Sequence, residues 1–557
     1  MNPTISEDFL MAFAEGLSGR TLTTCSRWSA KRRVMGEPFP GPYGWKYHPW
    51  VREILDSPAP FNYAMKAAQL GVTEVAINRA LYVIDRLHRD VLYVLPTATN
   101  ASDFSKARFN TALALSPYLR SLFHSTDTVN LKQAGANNLY IRGSRGDSNL
   151  KSIPVSDLVL DEVDEMSQSQ IWLALERLSG QIEKHVWGIS TPTIPNFGIH
   201  KLYRTSTQEH FFFSCPCCGR TTELIWPDCV EIIGETVADP RCHESFLRCK
   251  ECKGRLEHRT KPEWLSKAAW RSTIPNGNPD IRGFQISQLY SSTVSPGEMV
   301  VAYHRGRGDE AAAAEFSTSK LGVPFLGAGA QVNDDMLDRS IRDHLTSDPL
   351  PQNGKRLIVL GVDQGKTNYW TACEWLIDGP IGRDVNAAAI CKVIGFGKFG
   401  EEEWSTLDEL MRAYQARACV VDADPNINEA RRVARRFSGY VWLTRFRRGY
   451  AAKEMSIEDA DSGAPIAQCD RTSWVGGTLS RFKTDPTRIW LPRDISLEYR
   501  EHLKSQVRTY QKDETGNSRS VYVPTSPDHF CLSLVYAEIA LPLAASMAAN
   551  QDIGKFL

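Results

Sequence analysis

The sequence predicts an α/β chain. A doubly wound, mostly parallel sheet comes first and carries a cysteine-paired insert; a second α/β domain follows. Three observations predict this. Apolar strand-like runs alternate with helical stretches, and one run ends in Asp161-Glu162. Two C-x2-C pairs, Cys215/Cys218 and Cys249/Cys252, interrupt the alternation. Three aspartates, Asp363, Asp422 and Asp528, then stand at the ends of elements far apart in the chain.

At 557 residues the chain has room for about three or four domains. It is 42% hydrophobic and 23% charged, an ordinary globular composition without internal repeats. Lysine and arginine balance aspartate and glutamate, so a nucleic-acid partner must be met by local basic patches. Thirteen cysteines behind an acidic, polar start (MNPTISEDFL) point to a reducing compartment, with thiols free or on metal. Residues 532–549 are apolar enough to test as a membrane span. Glu538 and Pro542 interrupt them, and a buried helix is expected.

The expected organisation is an N-terminal segment over 1–39, a first domain over 40–345 with its insert at about 210–258, a linker over 346–353, and a second domain over 354–557. Residues 1–39 contain small basic clusters, including Lys31, Arg32 and Arg33, which either touch DNA or form a solvated face. Residues 40–56 are aromatic and Pro/Gly-rich, and could wall a nucleotide base.

Residues 62–73, NYAMKAAQLGVT, deviate from the phosphate-loop pattern G-x-x-x-x-G-K-[ST]. Gly71 takes the second glycine and Thr73 the hydroxyl. Lys66 stands where the first glycine would be, and Val72 where the lysine would be. The chemistry needs backbone N–H groups around phosphate, one cation and one hydroxyl for Mg2+. Lys66 can supply the cation from the start of the loop, and a helical stretch follows, as required. The candidate ATP-binding set is Lys66, Gln69, Gly71, Thr73 and Asp161.

Residues 90–96 and 139–141 read as further strands, and 155–160 as a buried one. Ligand sites in open α/β sheets lie at the carboxyl ends of strands. Asp161 would hold Mg2+ there and Glu162 would orient the attacking water. The bland alternative is a strand followed by a solvated acidic loop, since Asp164 and Glu165 are also acids. Residues 186–193, VWGISTPT, form another strand ending in Ser190 and Thr191, the candidates for coupling hydrolysis to movement.

The ordered set KAAQLGVTE, LVLDEVDEM, GISTPT, the cysteine insert, AAWRSTIPNGNPDIRGFQISQLYSS and FSTSKLGVPF resembles the large subunit of tailed-phage terminases, lambda-type. The resemblance covers roughly residues 30–545. That family is similar in placing the lysine of a deviant phosphate loop at its start. It implies a P-loop NTPase motor closed near residue 325, then a nuclease. It also implies double-stranded DNA as cargo, a homo-oligomeric ring on the procapsid portal, a small DNA-recognition subunit, and the host bacterial cytoplasm as location.

The insert carries chemistry of its own. Paired thiolates at C-x2-C spacing build a tetrahedral zinc site. The thirty residues between the knuckles, 219–248, exceed the compact pattern, and an interrupted zinc ribbon accommodates them. Cys215, Cys218, Cys249 and Cys252 are the expected ligands, with Cys217, Cys242 and His243 as possible substitutes. Nothing marks an open coordination position or a base, so the expected role is structural.

In the second domain a strand ends in Asp363, a later one ends in Asp422, and Asp528 starts the final helix. Acids on strand one, strand four and a late helix are the RNase-H-like arrangement. Such a cluster binds two hard cations, Mg2+ or Mn2+. The terminase resemblance carries DNA cutting over to Asp363, Asp422 and Asp528, with Asp424 and His529 as rivals. Arg431, Arg435, Arg445, Arg447 and Arg448 lie in a basic run, with Phe446 and Tyr450 interleaved. They are either DNA-phosphate contacts or a solvated face. The expected function is ATP-driven packaging of viral DNA with metal-dependent cutting. The alternatives are a translocase with an inert C-terminal domain and a non-enzymatic zinc-ribbon scaffold.

Overall fold

The computed structural model describes residues 22–123, 126–145, 150, 153–350, 357–377, 385, 389–447, 455–458, 464–512 and 518–549. Arg448 and part of the expected linker lie outside the described residues. The chain divides into two compact units, 1–326 and 327–557. The division falls ahead of the expected linker, because Val332 and Leu337 already pack into the second unit's core.

The first unit is built on seven neighbouring parallel strands. In chain order its elements are β1 (Phe61–Lys66), α1 (Val72–Tyr82), β2 (Val91–Leu95), β3 (Asn137–Gly143), β4 (Asp157–Asp161), β5 (His185–Ser190), β6 (Glu209–Ser214) and β7 (Ile281–Ile286). The sheet order is β6-β7-β1-β5-β4-β2-β3, with antiparallel strands added at both edges. Strands buried on both faces read as continuous apolar runs, and β2 (VLYVL) and β4 (DLVLD) are buried throughout. β5 lies between β1 and β4, with Met65 opposite Ser190 and Ile189 opposite Asp161. The carboxyl ends of three strands therefore stand side by side.

β6 runs straight into the insert. The insert holds a small antiparallel sheet of Val230–Glu231, Phe246–Arg248 and Arg255–Leu256.

The second unit contains β8 (Leu357–Asp363), β9 (Thr367–Leu376), β10 (Ile390–Gly400), β11 (Ala418–Asp422), α2 (Ile427–Arg436), β12 (Val441–Phe446), β13 (Ile466–Cys469), α3 (Arg471–Ser480), α4 (Leu497–Lys504) and α5 (His529–Ala549). Its sheet runs β13-β12-β11-β8-β9-β10 through the centre. β8, β9 and β10 form an antiparallel meander, and β11 and β12 add in parallel beside β8. That is the RNase-H-like order, with the first strand central. The apolar helix expected near the C-terminus is α5, buried against this sheet. Within His529–Ala548 its most apolar 18-residue window has mean hydropathy 1.7, and 83% of that window is buried. It crosses β8 at Gly361, where a Cβ would lie 2.0 Å from the Ser533 carbonyl oxygen. Only a glycine lets the helix come this close, and the close approach brings the start of α5 to the end of β8.

Candidate active sites

Lys66 is the last residue of β1 and is 6% exposed. Its Nζ lies 3.3 Å from Glu162 Oε1 and 3.4 Å from Thr191 Oγ1. Three strand ends thus meet at one cation, and the lysine at the start of the loop can do the work that Val72 cannot. Val72 is buried as the first residue of α1. The loop between β1 and α1 turns through Gln69 at φ 59° and Gly71 at φ 75°. Gly71 precedes α1, so the first N–H groups of the helix, with Thr73 in its first turn, face the loop. The aromatic segment ahead of β1 holds this loop. Trp50 Nε1 donates to the Leu70 carbonyl at 2.8 Å, and the His48 ring packs over Gly71. Phe39 stacks on Tyr47 with centroids 4.6 Å apart. Arg33, read from sequence as part of a basic cluster, is buried instead and donates to Asn78 and Glu74 of α1.

Asp161 ends β4 and is 2% exposed. Tyr93 donates to its Oδ2 at 2.6 Å, while its Oδ1 is buried without a hydrogen-bond partner. Burial, reinforced by the Glu162 charge, pushes the Asp161 carboxyl up to about 6. A buried acid with one uncommitted oxygen suits a hard cation. Glu162 follows in a left-handed conformation, φ 61° and ψ 55°, which a non-glycine residue adopts at a cost of about 1–3 kcal/mol. That turn aims its side chain back at Lys66 and Ser190, whose Oγ lies 3.4 Å from Glu162 Oε2. The pattern of strand followed by two acids was legible in the sequence. The backbone turn, Tyr93 and the partners of Asp164 were not.

The knuckles close on one point. The sulfurs of Cys215, Cys218, Cys249 and Cys252 all lie within 4.8 Å of one another, and Cys215 and Cys252 are 3.9 Å apart. A tetrahedral ion with bonds of about 2.3 Å to sulfur asks for such spacing. Backbone N–H groups of Cys217 and Glu251 point at Cys215 Sγ and Cys249 Sγ, as expected around thiolate ligands. The possible substitutes are elsewhere. Cys217 Sγ faces the Arg255 carbonyl, and Cys242 Sγ faces the Thr236 carbonyl; neither they nor His243 belongs to the cluster.

In the second unit Asp363 ends β8, Asp422 ends the adjacent strand β11, and Asp528 immediately precedes α5. Asp363 Oδ2 contacts His529 Nδ1 at 2.8 Å. Asp422 Oδ2 accepts from Tyr536 on the next turns of α5 at 2.9 Å, and its Oδ1 accepts the Asp424 N–H at 3.1 Å. Asp528 Oδ2 accepts from Gln506 at 2.5 Å and lies 3.5 Å from Arg471 Nη2. Burial raises all three carboxyls. Asp422 is pushed up to about 6, with the Asp363 charge adding to burial, and Asp528 adds to the rise at Asp363. Asp363 is therefore coupled to each of the other two acids, although among the described residues the thiols alone form a group of three or more ligands within 4.8 Å. Buried carboxylates that raise one another are a donor set for hard cations, and two such ions sit about 3.5–4 Å apart in cutting sites. Of the rivals, Asp424 turns outward into a two-bond pair with Arg445, and His529 stacks on Tyr369 beside Asp363.

The basic run, which also contains Arg432 and Arg436, is mostly answered among the described residues. Arg445 pairs with Asp424, Arg447 with Glu458, Arg432 with Glu429 and Arg436 with Asp408. Arg435 is exposed on α2, and Arg431 is half-buried on the same helix.

No curated protein sequence matches the chain. Among solved structures the chain is similar to the large terminase of bacteriophage HK97, at 11% identity, over 93% of this chain and 99% of that one, with TM-score 0.47. It is also similar to the large terminase ATPase domain of Thermus phage P74-26, at 14% identity over 51% and 94%, TM-score 0.30. The large terminase nuclease of the thermophilic phage G20c matches at 15% identity over 36% and 94%, TM-score 0.21. These scores are too low to carry residue roles across. Residues 37–270 match the family model of the phage terminase large subunit gpA, ATPase domain. That matched stretch contains Lys66, Asp161, Glu162 and the cysteine knuckles.

Proposed function

We propose that the chain is a terminase large subunit that hydrolyses ATP to drive double-stranded viral DNA into a procapsid and cuts that DNA with its second unit. The observation that carries the motor half is the meeting of Lys66, Glu162 and Thr191 at three adjacent strand ends. In this reading Lys66 contacts the phosphates, with Gln69 and Gly71 shaping the loop whose N–H groups cradle them. Thr73 and Asp161 would hold the Mg2+ that arrives with ATP. Glu162 aligns water for attack on the γ-phosphorus, the bond to the β–γ bridging oxygen breaks, and ADP and inorganic phosphate depart, the water's proton leaving to solvent. Ser190 and Thr191, touching Glu162 and Lys66, carry the change onward along β5.

The cutting half rests on Asp363, Asp422 and Asp528. They would hold two divalent cations, Mg2+ or Mn2+, which when bound supply an activated water and stabilise the leaving oxygen of a phosphodiester. His529 orients Asp363, Tyr536 orients Asp422 and Gln506 orients Asp528. The thiol cluster would hold one Zn2+ as a structural staple. A small terminase subunit, the portal of the procapsid and a homo-oligomeric ring in the host cytoplasm complete the reading.

The experiment is a paired assay on the full chain. ATP turnover is expected in the wild type and lost in Lys66→Ala. Plasmid cleavage with Mn2+ is expected in the wild type and lost in Asp363→Ala. Turnover that survives Lys66→Ala would sink the loop assignment. Cleavage that survives Asp363→Ala would remove the cutting site from the second unit.

A further inference from the structure

Asp164 lies one turn beyond the acid pair, and the sequence offers it as a solvated loop acid. It is instead 4% exposed and satisfied on every side. Its Oδ2 accepts from Thr193 N at 2.7 Å and from Thr193 Oγ1 at 2.8 Å. Its Oδ1 accepts from Ile199 N at 2.7 Å. Gly198, at φ 48°, presses against it, and a Cβ there would lie 2.2 Å from Oδ1. Asp164's own N–H donates to Ser190 Oγ at 3.2 Å.

That last bond ties Ser190 to the acid strand. With a lone pair of its oxygen taken by the Asp164 N–H, the single hydroxyl proton of Ser190 points to the Thr191 carbonyl at 3.0 Å or to Glu162 Oε2 at 3.4 Å. Ser190, and through it Glu162, is thereby tied to Asp164's backbone N–H, while the Asp164 carboxylate holds Thr193 and Ile199 further along the same segment. Three donors converge on its two oxygens. An asparagine of the same shape would turn an NH2 group toward at least one of them. Burial raises the Asp164 carboxyl to about 7, against the pull of those donors, so the group is held at a cost that packing alone does not require.

We infer that Asp164 is a positioning residue for ATP turnover: it fixes Glu162 through Ser190 and clamps the segment after β5 to the acid strand. The inference rests on the reading that Glu162 orients the attacking water. Because the Asp164 side chain is buried and engaged with Thr193 and Ile199, its loss should act on the chemical step and spare binding.

The test is steady-state ATP hydrolysis by the full chain, with binding of a fluorescent ATP analogue measured alongside. Asp164→Asn is expected to lower kcat about tenfold, with KM and analogue affinity within about twofold of wild type. Thr193→Val, which removes one of the three donors, should lower kcat by a smaller factor, and Thr193→Ser should restore it. Wild-type kcat in Thr193→Val, or a raised KM with kcat unchanged in Asp164→Asn, overturns the inference and leaves Asp164 a structural brace. If Asp164→Asn does not fold, the Thr193 pair decides alone. Glu162→Gln turning over ATP normally would overturn the reading of Glu162 instead, so the two failures are told apart.

Discussion

A carboxylate at the end of a buried strand is costly unless something answers its charge. At Asp422 the answer comes from Tyr536 on α5 and from the Asp424 amide. Tyr536→Phe leaves the ring in place and removes one donor to an acid already pushed up to about 6. Losing a buried hydrogen bond to a charged group costs about 1.5–3 kcal/mol. Mn2+-dependent cleavage by Tyr536→Phe should need several-fold more metal at unchanged protein fold, read by metal titration and circular dichroism. An unchanged metal midpoint would show that Tyr536 only fills space. At this scale the sequence was legible where chemistry follows local order. An apolar run and then an acid marks Asp161, Asp363 and Asp422. It was silent where the partner comes from far away. Asp164 reads as loop because Thr193 and Ile199 arrive from another strand end, and Tyr93, Tyr536 and Gln506 carry no mark that they will meet an acid.

The cysteine knuckles are the element most fully visible in one dimension, because C-x2-C spacing is itself the geometry of half a site. Their thirty-residue separation reads in the sequence only as an interruption of the ribbon. It holds two strands of a three-stranded sheet whose third strand follows the second knuckle, and the sheet's own buried side chains, such as Val230 and Leu247, are few. A sheet so small needs a staple. Zinc is expected at about one equivalent per chain by elemental analysis. Chelation, or Cys249→Ser, should lower the melting temperature of the first unit and expose the insert to protease. A preparation lacking zinc that melts unchanged would remove the staple. α5 makes the opposite case. Its apolar run was plain, but its path across Gly361, and hence its delivery of His529 and Tyr536 to two different acids, depends on a strand more than 160 residues earlier.

Across the whole molecule, balanced charge and internal pairing tell the same story. Four arginines of the basic run already have carboxylate partners, so few are ready to replace counterions on DNA. Binding of the isolated chain to non-specific duplex should weaken only gently with salt, with a log–log slope of about −3 or shallower. A slope near −8 would mean that these pairs open on DNA. The sequence could count the arginines but not their partners. Asp424 stands 21 residues from Arg445 and Asp408 28 residues from Arg436, and the pairs exist only once the sheet is assembled.

The three acids of the second unit are made in order and far apart in time. His529 meets Asp363 across 166 positions of sequence. A ribosome adding about 5–20 residues per second needs roughly ten to thirty seconds between them. Throughout that interval the nascent chain holds Asp363 and then Asp422, but neither Asp528 nor the helix that braces them. On the proposed reading, cutting cannot begin before residue 528 and the helix after it have been made, and a message broken before codon 528 yields a product with no complete acid set.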